Sequence, residues 1–175
     1  MGQIKEVTPV KLFIGIIFNN TFCIKKTKEL LIQKFGEIDI ETPNWSFNFT
    51  NYYEKEMGTV LFKKFLSFKK LINPIDIKDI KIYTNNLEKQ FESDHIEITR
   101  PVNLDPGYLS LSKVVLATTK NYNHRIYIGN GIYAEVTLHY QNKSFQFWPW
   151  TYSDYKTSNY LNFFQKMRNY YKTAI

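Results

Sequence analysis

Residues 59–72, TVLFKKFLSFKKLI, read two ways, and the fold turns on which reading holds. Leu61, Phe65, Phe68 and Ile72 stand at heptad spacing, which describes a basic amphipathic helix suited to a membrane surface. Against this, Gly58 precedes the run, its Thr-Val-Leu-Phe opening and its Phe content suit a strand, and Asn73-Pro74 starts a new helix immediately afterwards. The first half is therefore read as a strand.

Downstream, Asn73 is a good N-cap, Pro74 suits the first helical position, and Asp76 and Asp79 suit the positive helix end. Ile77, Ile80, Thr84, Leu87 and Phe91 form the buried stripe of that helix. Lys81, Asn85 and Glu88 line an adjoining edge at i, i+4, i+7, and the expectation for them is a solvated face with a weak intrahelical ion pair.

Upstream, residues 11–18 (KLFIGIIF) are a nearly continuous apolar run with β-branched residues, the mark of a central strand. From Thr21 the spacing turns helical, with Cys23, Thr27, Leu30, Leu31 and Phe35 on one side and Gly36 placed to end the helix. Residues 37–40 alternate as a strand, Pro43 interrupts it, and Trp45, Phe47 and Phe49 resume the alternation. Adding residues 96–102 as a further strand gives the order β-α-β-β-α-β, a ferredoxin-like (split βαβ) core. A β-hairpin and a C-terminal helix, with Tyr160, Leu161, Phe164, Met167 and Tyr171 behind Ser158, extend it. No linker or repeat divides the chain, so residues 1–175 are expected to form a single α+β domain.

Between Arg100 and Val136 the chain carries its most unusual residues. Only three of its 23 basic residues are arginine, Arg100, Arg125 and Arg168, in a composition where AT-rich codons favour lysine. A retained arginine suggests a planar, bidentate or stacked role. Asp105-Pro106-Gly107 reads either as a type II turn or as the N-cap of a helix reaching Thr119 with Tyr108, Leu111, Val115 and Leu116 inward. For the hairpin, a three-residue Gly129-Asn130-Gly131 loop with Gly131 left-handed sets Ile128 against Ile132, Ile126 against Ala134 and His124 against Val136 on an apolar face. On the other face Tyr127 meets Tyr133 and Arg125 meets Glu135.

His124 is either a satisfied, half-buried histidine or one wall of a polar pocket. On the pocket reading, His124 is the proton carrier and Asp105 or Glu135 its orienting or basic partner. Arg100, Lys113, Lys120 and Arg125 are then the contacts to a small anionic, phosphate-bearing ligand. A metal held by His124, Asp105 and Glu135 is a minor alternative.

NLDPGYLSLSKVVLATTK, HRIYIGNGIYAEVTL and WTYSDY resemble a bacterial family known as domain of unknown function 4416, as do YYEKEMG, FLSF and IKIYTNNLE upstream. The combination of DPGY with HRIY and GIYAEVTL is specific, and the resemblance spans nearly the whole chain. It implies one coherent domain and brings no catalytic residues with it.

Several chemistries are excluded. There is no GxxxxGK[ST] loop and no GxGxxG after the first strand; His95, His124 and His139 are too dispersed for a helical zinc motif; and no nucleophile elbow accompanies the serines. The single Cys23 points to a reducing, cytoplasmic setting, and the N-terminal apolar run is too short to span a membrane. Cofactor and oligomeric state are left open. The net charge of +7 keeps a second class of partner in view. A nucleic acid would use Lys63, Lys64, Lys69 and Lys70 with the aromatics from Trp148 to Tyr155. An adaptor without a pocket is the third possibility.

Overall fold

The computed structural model describes residues 2–19, 21–91 and 98–175. Among the described residues nine strands form one sheet. They are β1 (Val10–Phe18), β2 (Ile38–Glu41), β3 (Trp45–Ser46), β4 (Phe62–Ile72), β5 (Val102–Leu109), β6 (Lys113–Thr118), β7 (Ile126–Gly129), β8 (Ile132–Gln141) and β9 (Ser144–Phe147). Four helices accompany them, α1 (Thr21–Phe35), the single turn α2 (Glu54–Met57), α3 (Ile77–Gln90) and α4 (Ser158–Ala174). This is a mixed α+β architecture.

The sheet order is β2-β4-β1-β5-β6-β8-β7, with β3 added to β4 and β9 to β8, and every pairing is antiparallel. All nine residues of β1 are buried, as a strand covered on both faces requires. One face, with Leu12, Ile14, Ile16, Phe68 and Leu104, packs on Leu31 of α1 and on Ile80 and Leu87 of α3. The opposite face, with Phe13, Phe65, Leu109 and Leu138, packs on Phe163, Phe164 and Met167 of α4.

The stretch read two ways is strand throughout from Phe62 to Ile72, so the amphipathic helix is overturned. Phe65 and Phe68 share a face only if the segment is helical; here Phe65 enters the α4-side core and Phe68 the α1/α3-side core. A strand sandwiched between two helical layers carries apolar residues on both sides, and that imitates a helical period. Asn73 caps the following 3-10 turn by accepting the Ile75 N–H at 3.1 Å, and Gly36 ends α1 with a positive φ of 90°.

Downstream of Arg100 the structure differs from both readings of Asp-Pro-Gly. Residues 96–97 of the strand expected over 96–102 lie outside the described residues, and the strand that is described runs through Asp105, Pro106 and Gly107 to Leu109. No helix reaches Thr119; that stretch is β6. Local Pro-Gly turn chemistry is overridden because β5 is held by a full antiparallel ladder to β1, from Lys11↔Leu109 to Phe18↔Val102. Gly107 is required there, since a Cβ would stand 2.5 Å from the Val115 carbonyl oxygen and 2.5 Å from the Phe13 ring.

In the hairpin, Ile126↔Ala134 and Tyr127↔Tyr133 pair as expected, but Gly129 pairs with Ile132 across a two-residue Asn130-Gly131 turn, both with positive φ. A bulge between Tyr127 and Gly129 absorbs the extra residue, so the expected Ile128–Ile132 pair does not form. Burial does not follow the apolar face: Ile132 is buried in the core with Ile128 against it, but so are polar residues of the opposite face. Arg125 and Glu135 are 8% and 2% exposed, whereas Ile126 is 72% exposed.

Candidate functional site

The site begins with a break in the sheet. β5 and β6 share only three pairs, Gly107↔Leu116, Tyr108↔Val115 and Leu109↔Val114, and then part. Pro106 explains the end of the ladder. The N–H and C=O of Leu104 point away from β1, alternation puts the imide nitrogen of Pro106 on that same side, and a proline has no N–H to give β6.

The backbone of Leu104, left without a strand partner on the β6 side, is taken up by helix α3. Lys81 Nζ donates to the Leu104 carbonyl at 2.7 Å, and Glu88 Oε1 accepts the Leu104 N–H at 2.8 Å. Two side chains seven residues apart on one helix thus replace the missing strand. The expectation of a solvated edge is wrong here: Lys81 and Glu88 are both buried. Burial drives the Glu88 carboxyl up to about 7, although Lys81, the Leu104 N–H and Arg100 oppose the shift.

Between the parting strands lies a cavity of about 290 Å3. Ile17, Lys63 and Asp105 reach it from β1, β4 and β5; Leu116, Ala117 and Thr118 come from β6 and Glu135 from β8. Phe47, Phe49, Tyr52 and Tyr53 line it from the loop before α2, and residues 152–155 close it from the segment ahead of α4. Lys120 lines it as well and is exposed, which places this lysine at the mouth.

Lys63 and Asp105 form the interior ion pair, Nζ to Oδ2 at 3.2 Å, although β1 separates their strands. The bridge passes over Gly15, where a Cβ would lie 3.1 Å from both Cε and Nζ of Lys63. Asn103 donates to the same Asp105 oxygen at 2.9 Å, and Lys81 stands 3.9 Å from the other. Burial alone would raise the Asp105 carboxyl, but the charges of Lys63 and Lys81 and its hydrogen bonds hold it below the usual carboxylate range. Asp154 shows the reverse balance: burial raises it, and Lys63 only partly compensates.

At the rim Arg125 makes three side-chain bonds: Nε to Glu135 Oε2 at 2.7 Å, Nη1 to the Lys120 carbonyl at 3.0 Å and Nη2 to the Tyr152 hydroxyl at 2.6 Å. Its guanidinium also lies 4.6 Å from the Tyr122 ring centre. Thr137 donates to the second Glu135 oxygen at 3.0 Å. His124 Nε2 is 3.4 Å from Glu135, and its ring is stacked between Tyr122 and Trp150.

Residues 8–171 match the model of a family described as Domain of unknown function (DUF4416). The chain belongs to this family. Every residue that lines the cavity falls inside the match. No curated protein and no solved structure matches the chain.

In this DUF4416 chain the expected site residues divide. Asp105, Glu135 and Lys120 line the cavity. Arg125 and His124 stand behind Glu135 and reach the cavity through it. Arg100 is turned to other partners, Glu56 at 3.1 Å, Glu88 at 3.9 Å and the Tyr53 ring. Lys113 is exposed at the far end of β6, opposite His139, and the structure does not bring it to the site. No group of three or more His, Cys, Asp or Glu able to hold a metal occurs among the described residues.

Of the lysines considered for nucleic acid, Lys63 is buried, Lys64 and Lys69 pair with Glu41 and Glu37, and Lys70 is exposed. Trp148 and Trp150 stack on each other, with His139 and His124 at the two ends. No helix is long and apolar enough to cross a membrane, among the described residues. Sequence reasoning missed Asp154, and it placed Lys63 and Tyr155 only with the nucleic-acid alternative and not in a cavity. Lys63 carried a signal, a lysine in phase with Phe65 on one face of a strand that also had to be covered by a helix.

Proposed function

We propose that the cavity is a small-molecule site that takes an anionic ligand with a ring-bearing body. Lys120 is the anion contact at the mouth, the aromatic loop before α2 packs against the body, and Asp105 and Glu135 are the acid-base groups within. The observation that carries this reading is the concentration of Lys63, Asp105, Glu135 and Asp154 in one hollow of about 290 Å3. Buried charges cost several kcal/mol each to desolvate, and replacing such pairs by apolar residues is commonly neutral or stabilising, so stability alone is a weak reason for them. The size is close to the lower end of small-ligand pockets, roughly 300–1,000 Å3.

On this reading His124 is a positioning residue for Glu135, and Arg100, Arg125 and Lys113 are not ligand contacts. We further read β1, α1, β2, β4, α3 and β5 as a ferredoxin-like split βαβ unit, supported by the order β2-β4-β1-β5, and we place the protein in the cytoplasm. A nucleic-acid partner has less support, because the lysines and tryptophans it would use are largely engaged with other side chains.

Native mass spectrometry of freshly purified, undialysed protein tests the proposal. A discrete extra mass that is lost in Lys120→Ala and Asp105→Asn is expected. A bare protein mass, with no thermal stabilisation by phosphate-bearing small molecules, overturns it.

A further inference from the structure

Residues 48–52 cover the cavity with little to hold them. Phe49, Thr50 and Tyr52 line it, yet Phe49 and Tyr52 are 39% and 62% exposed, so the segment is a thin strap with solvent behind it. Both ends of the strap are fixed. Phe47 packs with Ile17, Met57 and Leu61 and donates its N–H to the Leu61 carbonyl at 2.8 Å. The Tyr53 carbonyl accepts the Met57 N–H at 2.8 Å, and the Arg100 guanidinium lies 5.5 Å from the Tyr53 ring centre. Between these anchors the backbone bonds are local among the described residues: Tyr52 N–H to the Thr50 hydroxyl and Glu54 N–H to the Asn51 carbonyl, each at 3.1 Å. A segment with few backbone hydrogen bonds and little burial opens easily.

Lys120 is the tie across the mouth, with Nζ 4.1 Å from the centre of the Tyr52 ring. Its own backbone is held on both sides, the N–H by the Thr118 hydroxyl at 3.2 Å and the carbonyl by Arg125 Nη1 at 3.0 Å, so this lip is the fixed one. Its ammonium pairs with no carboxylate among the described residues. A cation over a ring at an exposed site favours the closed form by a factor of roughly two to five. A phosphate or carboxylate oxygen on the same ammonium is the stronger contact. The ring turns its negative face to the lysine, so an anion that reaches Nζ is repelled by the ring and displaces it.

We propose that residues 48–52 are a strap latched by Tyr52 on Lys120, and that an anionic ligand opens it by taking the lysine from the ring. Tyr52 then selects for charge at entry, because a neutral molecule of the same shape must break the latch with nothing in exchange. This rests on Lys120 as the anion contact of the cavity and adds how the site is reached.

The test is heteronuclear NMR of the full chain, isotope-labelled at the lysine ε-carbons, with inorganic phosphate as the probe. Protons above a ring face are shifted upfield. The Lys120 ε-protons, identified as the signal that Lys120→Met removes, are therefore expected upfield and should return to the ordinary lysine position in Tyr52→Leu. Phosphate should move the wild-type signal to that same position, and sodium chloride at equal ionic strength should not. Phosphate should also bind Tyr52→Leu roughly two to five times more tightly than wild type, since no ring competes for the lysine. Lys11, buried on β1, gives the folding control, and its signal should stay in place in both variants. A Lys120 signal that Tyr52→Leu leaves unmoved overturns the latch. A signal that phosphate does not move, or that sodium chloride moves equally, overturns opening by the anion, as does equal phosphate affinity in Tyr52→Leu and wild type. Native mass spectrometry judges the cavity separately, because a ligand can fill it whether or not the strap is latched.

Discussion

Lys63 and Asp105 meet at 3.2 Å from strands that are not neighbours, across the one residue of β1 that has no side chain to block them. The ion pair is therefore a property of three strands, and Gly15 is as much a part of it as the charges.

Gly15→Ala tests that dependence. The added methyl stands 3.0 Å from the Phe65 ring and 3.1 Å from Lys63 Nζ, so side chains in a packed core must shift, at a cost of roughly 1–3 kcal/mol. Urea denaturation should show the loss, and a Gly15→Ala protein of unchanged midpoint contradicts the bridge as described.

Removing one partner of the pair should cost more than removing both. Asp105→Asn leaves Lys63 buried without its counter-charge, for about 2–4 kcal/mol, somewhat less than a fully enclosed pair because Asp105 also faces the cavity. The double variant Lys63→Met with Asp105→Leu should recover much of that loss. A double-mutant cycle with no coupling between the positions contradicts the expectation.

Glu88 predicts a pH dependence. Its carboxyl sits at about 7 in the folded protein, against an ordinary value near 4.5, so folding favours its protonated form. The stabilisation from this residue is fully present below about pH 4.5 and is lost as pH rises through about 7. Glu88→Gln can still accept the Leu104 N–H through its amide oxygen, and it does not titrate. The stability of wild type relative to Glu88→Gln should therefore fall between those two pH values, and a pH-independent difference contradicts the assignment.

Arg125→Lys should loosen the β7–β8 hairpin. A lysine supplies one ammonium where the guanidinium fork serves Glu135, the Lys120 carbonyl and the Tyr152 hydroxyl together. The loss is expected at roughly 1.5–3 kcal/mol, the range for hydrogen bonds to charged groups. Hydrogen exchange at Ile126 to Gly129 should accelerate before the central strands respond.

Where structure depends on near neighbours in the chain, the sequence is a good guide. The apolar run of β1, the glycine stop at Gly36, the Asn73-Pro74 start and the Arg125–Glu135 pairing all follow from residues close together or from a hairpin register. The site depends on distant chain. Asp105-Pro106-Gly107 has the local chemistry of a turn, and only the β1 ladder makes it a strand. Lys81 and Glu88 look like a surface ion pair until Pro106 has turned β6 away and left a backbone for them to bind. Lys63 looks like a surface lysine until Gly15 is placed beside it. His124 stands out by its residue type, whereas the cavity is lined by carboxylates, lysines and aromatic residues whose meeting no local spacing announces.

The parting of β5 from β6 bears on how the protein behaves in a crowded solution. A strand that leaves its neighbour shows unpaired amides and carbonyls, and such a row is a template on which another chain can add a strand and aggregate. Lys81 occupies the C=O of Leu104 and Glu88 its N–H, with polar groups that no incoming strand can displace without burying them unpaired. The helix thus lets the sheet open within one chain while guarding the opening against another.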